Sequence, residues 1–116
     1  MKIESNATQM VFCDIHGAQK FVFVSPNIAQ ATKSKNILHE SEILLLNIES
    51  SNQTFKYYVD SQFLEEFVTL DEGREFYLKD RDKDKKEMND RLIIQKIMKR
   101  LFAVCPICME SLLEPT

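Results

Sequence analysis

Two short segments hold the residues whose types and spacing could do chemistry: Cys13-Asp14-Ile15-His16 near the start and Cys105-Pro106-Ile107-Cys108 near the end. Together they use all three cysteines and one of the two histidines. Donors separated by two residues can turn toward one ion, with a tight turn between them supplying the bite. Three thiolates and one imidazole make a closed tetrahedral set, which binds Zn2+ to hold structure and leaves no position open for a reacting water. The expectation is that Cys13, His16, Cys105 and Cys108 are the ligands of one Zn2+, with Gly17 and Pro106 shaping the two turns. Because most of the chain lies between the pairs, the binding energy of such a site becomes folding energy. The competing view makes Cys13 a buried strand residue beside Phe12 and the thiols unrelated, since small cysteines are common in cores. His39 is a spare imidazole in a polar stretch with no paired donor, and is read as solvated.

These residues carry two resemblances. Cys13-x-x-His16-Gly17 with Cys105-Pro106-x-Cys108 resembles the split ligand set of zinc-ribbon proteins, in which CxxHG opens the site and CPxC closes it. The likeness covers only those two segments, and the long insertion departs from a simple ribbon. Separately, the segment CPICMESLLEPT from Cys105 to Thr116 is similar to the opening of a RING finger. A RING needs several further Cys and His ligands downstream, so this likeness implies a truncated ubiquitin-ligase module.

Enzyme readings of the same residues fare worse. A thioredoxin-like site also places Cys-Pro-x-Cys between a strand and a helix, and Leu101 to Leu113 imitates that locally, but too little chain follows Cys108. A zinc deaminase needs H-x-E, yet Ser41 stands where a partner of His39 would carry the glutamate; Pro106 also lies inside the cysteine pair rather than before it. Phosphate loops, nucleophile elbows and HExxH are missing from the sequence. Catalysis is not expected.

The elements that must position the two pairs read as follows. At 116 residues the chain is expected to form a single zinc-stabilised domain, residues 1–116. Thr8 to Ile15 and Ala18 to Val24 are strands joined at His16-Gly17, and Ser25-Pro26 ends the second. Asn27 to Glu40 is read as loop with a turn of helix. Glu42 to Glu49 and Thr54 to Val59 form a second hairpin through Ser50-Ser51-Asn52-Gln53. Three consecutive leucines there suggest a strand covered on both faces, or one whose register the pattern does not set. Asp60 or Ser61 can cap a short helix over Gln62 to Val68; Asp71-Glu72-Gly73 is a turn, and Glu75 to Leu78 an edge strand. Ile94, Ile97, Met98 and Leu101 share one face of a helix predicted from about Asp82 to Phe102, running directly into Cys105. The predicted fold class is α+β: a small antiparallel sheet of hairpins with a long C-terminal helix, its termini joined by a Cys3His zinc site.

Charge and composition narrow the function. A formal charge of -3 argues against a protein that coats nucleic acid. The sequence contains neither a bilayer-length apolar run nor the start of a signal peptide, and its odd cysteine count fits reduced thiols or metal; the expected address is the cytoplasm of the encoding cell or of a host. The favoured expectation is a non-enzymatic zinc protein that binds a partner protein as an adaptor, assembly factor or inhibitor, similar in size and charge to small acidic proteins of phages and other viruses. The alternative is a zinc-ribbon accessory factor of transcription or replication, touching nucleic acid through Lys96, Lys99 and Arg100 in the basic half of the last helix. Cations near a helix C-terminus also favour the helix dipole and commonly point to water.

Overall fold

A computed structural model describes residues 3, 10–50, 53–68, 70, 75–80 and 91–114. Its centre is the pair of strands β5 (Ile43–Ser50) and β6 (Gln53–Asp60), antiparallel from Ile43↔Asp60 to Ser50↔Gln53. The run of apolar residues in β5 is explained by two cores, one on each face of the sheet. Leu44, Leu46 and Ile48 point to one face and pack with Val59, Phe63, Leu64, Ile94 and Ile97. Ile43 and Leu45 point to the other, with Val22, Val24, Ile28, Tyr58 and Met109. A strand buried on both faces cannot alternate apolar with polar, so the leucine run is the expected signature.

Around this pair the sheet grows to five strands in the order β7-β5-β6-β3-β8. β3 (Val22–Val24) lies parallel to β6, and β7 (Glu75–Asp80) parallel to β5, while β8 (Phe102–Val104) runs antiparallel to β3. Helices α2 (Ser61–Leu64) and α3 (Arg91–Met98) cover one face, through Phe63, Leu64, Ile94 and Ile97. Helices α1 (Pro26–Lys33) and α4 (Pro106–Leu112) cover the other, through Ile28 and Met109. Two small ladders lie outside this sandwich: the hairpin β1 (Met10–Cys13) with β2 (Gly17–Lys20), and β4 (Leu38–His39) parallel to β9 (Leu113–Glu114). Among the described residues, no helix is long and apolar enough to cross a membrane.

This architecture corrects the fold expected from sequence. The sheet is mixed rather than a set of antiparallel hairpins, because β3 and β7 each join as parallel neighbours. The long C-terminal helix is replaced by α3, a turn at Lys99-Arg100, β8 and then α4. Residues 82–90 of that expected helix lie outside the described residues, as do Thr8, Gln9 and the Asp71-Glu72-Gly73 turn. Ile94 and Ile97 do form the buried face that the periodicity implied. Beyond them, pairing of Phe102, Ala103 and Val104 with β3 overrides the helical pattern. The second strand of the first hairpin also splits, with β2 staying in the hairpin and β3 entering the main sheet.

The stretch expected to be mainly loop begins with α1. Pro26 stands at its first turn, where a missing N–H removes nothing and a fixed φ helps. Its apparent cap, Ser25, is fully buried and directs its hydroxyl to Asp60 instead. Asp60 in turn caps α2, its Oδ2 accepting from the Phe63 N–H at 3.3 Å. The expected helix from Gln62 continues past Leu64 as hydrogen-bonded turns, with Val68 N–H donating to the Leu64 carbonyl at 3.0 Å. The expected edge strand is β7.

Candidate metal centre

The two knuckles meet because of the sheet. Val22, which opens β3, pairs with Val104, which ends β8. The hairpin β1-β2 enters β3 through Phe21 alone, and Cys105 follows Val104 directly. The antiparallel ladder holds Cys105 near the foot of that hairpin, and the hairpin's turn, which carries Cys13 and His16, lies within reach of it.

Each knuckle is closed locally. In the first, Cys13 pairs with Gly17 across the turn Asp14-Ile15-His16. Gly17 adopts φ +72°, a left-handed conformation that side chains resist, although a Cβ there would meet nothing within 4 Å. Its glycine is needed for the backbone, not for space. Gln19 Nε2 donates to the His16 carbonyl at 3.0 Å and steadies the turn. In the second knuckle, Cys105 is the extended residue that precedes α4, and Pro106 starts the helix. Met109 N–H donates to the Cys105 carbonyl at 3.1 Å, and the fully buried Met109 side chain anchors the helix in the core. Cys105 and Cys108 are thus about one helical turn apart and face the same way.

The four side chains expected to act together are brought together. Their ligating atoms all lie within 4.8 Å of one another. His16 Nδ1 stands 3.5 Å from Cys13 Sγ, 3.6 Å from Cys105 Sγ and 3.4 Å from Cys108 Sγ, and Cys13 Sγ is 3.3 Å from Cys108 Sγ. A tetrahedron with Zn–S of ~2.3 Å and Zn–N of ~2.0 Å has S···N edges of ~3.5 Å and S···S edges of ~3.8 Å. One nitrogen held almost equally from three sulfurs matches that figure, with one S···S edge tighter. Unrelated thiols have no reason to gather so. The donors fit a metal ion on geometry and on chemistry.

The electrostatics make the same point. The Cys13 thiol is drawn down to about 6, first by the backbone N–H of His16, then by that of Ile15 and by the Cys108 side chain. The Cys108 thiol is pushed up to about 12, first by burial and then by the neighbouring Cys13 and Cys105. Three sulfurs crowded without a cation cannot all ionise, so Cys108 keeps its proton beside the Cys13 thiolate. A bound cation removes that conflict.

The other singled-out residues stand apart from this cluster. Lys96 and Lys99 are exposed on and just after α3. Arg100 is paired with Glu66 and lies over the rings of Phe63 and Phe67, at 4.9 Å and 5.7 Å from their centroids. His39 is not solvated as expected: it is half-buried in β4, and its Nδ1 is buried with no hydrogen-bond partner among the described residues. No second group of three or more potential ligands occurs among the described residues.

Sequence reading found all four clustered side chains but missed their surroundings. Phe12 (75 % exposed), Ile15, Phe102 and Ile107 are exposed on or beside the two knuckles. A groove of about 370 Å³ runs past the three cysteines between Phe12, Ala29 and Phe102. Phe12 beside Cys13 is the available signal in the sequence, but residue type alone does not tell an exposed strand aromatic from a core one. No protein-family model matches this sequence, and comparison with curated proteins and with solved structures found none similar to it.

Proposed function

We propose that this chain is a non-enzymatic, zinc-stabilised protein that works by binding a partner protein, as an adaptor, assembly factor or inhibitor. The observation that carries the metal half of this reading is the closed Cys3His cluster, with His16 Nδ1 3.4–3.6 Å from three sulfurs. Three thiolates and an imidazole suit Zn2+ and bind the hard, oxygen-seeking Mg2+ and Ca2+ poorly. The resemblance of the two knuckles to a zinc-ribbon ligand set supports the same ion. Four protein donors leave no position for substrate or water, so the ion's role is to fasten the hairpin to α4 rather than to react.

The partner half rests on the apolar side chains around that fastening. Phe12, Ile15, Phe102 and Ile107 are exposed where buried packing would be the default for such residues. Nucleic-acid binding is the weaker alternative, since Arg100 already serves Glu66 and two aromatic rings and the net charge is -3.

Native mass spectrometry of protein purified without added metal tests the first half. One zinc per chain, lost in both Cys13→Ser and Cys105→Ser, is the expected result; a folded, metal-free wild type would refute it. For the second half, affinity capture with the wild type and with Phe12→Glu should differ by one recovered protein. Identical captures would remove the surface from the proposal.

A further inference from the structure

Resting on the zinc reading above, we propose that the same centre responds to hydroperoxides: Cys13 and Cys108 are oxidised to a disulfide and the ion is released. The two residues are 95 positions apart in sequence, yet their sulfurs are 3.3 Å apart. An S–S bond is ~2.05 Å long, so a shift of roughly 1.3 Å joins them. Access separates the three cysteines. Cys13 and Cys108 are half-buried and line the groove of about 370 Å³, whereas Cys105, which also borders it, is only 7 % exposed. Cys105 is also held from behind, its carbonyl accepting from Met109 N–H at the head of α4. A small oxidant in the groove therefore meets the close pair first.

The chemistry is a two-electron exchange. One thiolate of the pair attacks an oxygen of the hydroperoxide; the S–O bond forms, the O–O bond breaks, and the departing hydroxide or alkoxide takes a proton from water. The other thiolate then attacks that sulfenic sulfur, forming the S–S bond and displacing hydroxide, which is protonated to water. Two thiolates, one hydroperoxide and two protons become one disulfide, one water, and one alcohol or second water. Cys105 remains a thiol. With two of its four donors consumed, the site no longer holds the ion. The new bond joins the two segments that the metal joined, so the hairpin stays fastened to α4 after the ion is gone. Oxidation exchanges a metal clip for a covalent one and frees zinc.

Zinc-loaded wild-type protein treated with one equivalent of hydrogen peroxide, then alkylated and digested without reductant, tests this directly. The expected map links the Cys13 and Cys108 peptides and shows Cys105 alkylated, while a chromogenic chelator reads one zinc released per disulfide. A Cys105–Cys108 link as the main product, or sulfinic acids without a link, would overturn the inference. Cys105→Ser, which keeps both partners, should form the same link; should it fail to fold, the wild-type map decides alone. Zinc content before peroxide is added judges the metal reading separately. Zinc-loaded protein without the link refutes only the redox inference, and zinc-free purified protein refutes the reading beneath it.

Discussion

Val22 stands opposite Val104 in the ladder between β3 and β8, and this pairing holds Cys105, the residue after Val104, beside the strand into which the hairpin of Cys13 and His16 runs. Neither valine carries a donor. Val22 is buried, and truncating such a valine removes about 1.5–3 kcal/mol of favourable burial. Val22→Ala should therefore lower stability by roughly that amount and also weaken zinc retention, although all four ligating side chains remain. Chelator competition run beside chemical denaturation checks this. Stability lost with zinc affinity unchanged would mean that the knuckles find each other without the ladder.

Removing a donor should act more strongly. Cys105→Ser is expected to abolish zinc binding and to lower the melting temperature at least as far as a chelator lowers that of the wild type. Lys99→Ala, an exposed change, should stay within about 0.5 kcal/mol of wild type. Comparable melting curves for Cys105→Ser and Lys99→Ala would show that the cluster contributes nothing to the fold.

Proton competition gives a third prediction. Each thiol must shed a proton before its sulfur binds metal, so acidification should release zinc with a dependence steeper than one proton per ion. In the metal-free protein, Cys13, drawn down to about 6, favours the folded state most fully above its ordinary value of 9.0, and this contribution disappears as pH falls through about 6. Cys108 has the opposite sign: pushed up to about 12, it favours folding below 9.0 and ceases to do so as pH rises toward 12. At pH 7.5 the metal-free protein should thus be alkylated by iodoacetamide faster at Cys13 than at Cys108, and zinc should protect both. Timed peptide mapping reads the order; equal rates would contradict the sharing of one proton between them.

The four clustered side chains were legible in sequence because the signal is local: residue type and a two-residue gap define a knuckle whatever surrounds it. The partner strands were not. β8 follows a helix whose apolar period continues to Leu101, and only its long-range pairing with β3 turns Phe102 to Val104 into strand. α1 was hidden for a different reason, since Pro26 both ends a strand and starts a helix, and the sequence does not say which. The leucine run left double cover and an unset register both open, and the two cores decide for double cover; β3 and β7, whose parallel pairings carry no short turn signal, give the sheet its mixed character.

A final prediction concerns Asp60, which ties α1 and α2 to the end of β6. Its Oδ1 accepts from the Ser25 hydroxyl, and its Oδ2 accepts from Asn27 Nδ2 at 3.0 Å and from the Phe63 N–H at 3.3 Å. Its own N–H donates back to Ser25 Oγ at 3.1 Å. Asp60→Ala removes the cap of α2 and strips the buried Ser25 hydroxyl of its acceptor, which together should cost about 2–4 kcal/mol. Asp60→Asn keeps one acceptor oxygen and should fall between that variant and wild type. Because Asp60 lies outside the metal cluster, zinc stoichiometry should stay at its wild-type value in every molecule that remains folded. Denaturation curves and metal content measured on the same samples separate the two effects. Loss of zinc from folded Asp60→Ala would show that the helix junction and the metal centre form one cooperative unit.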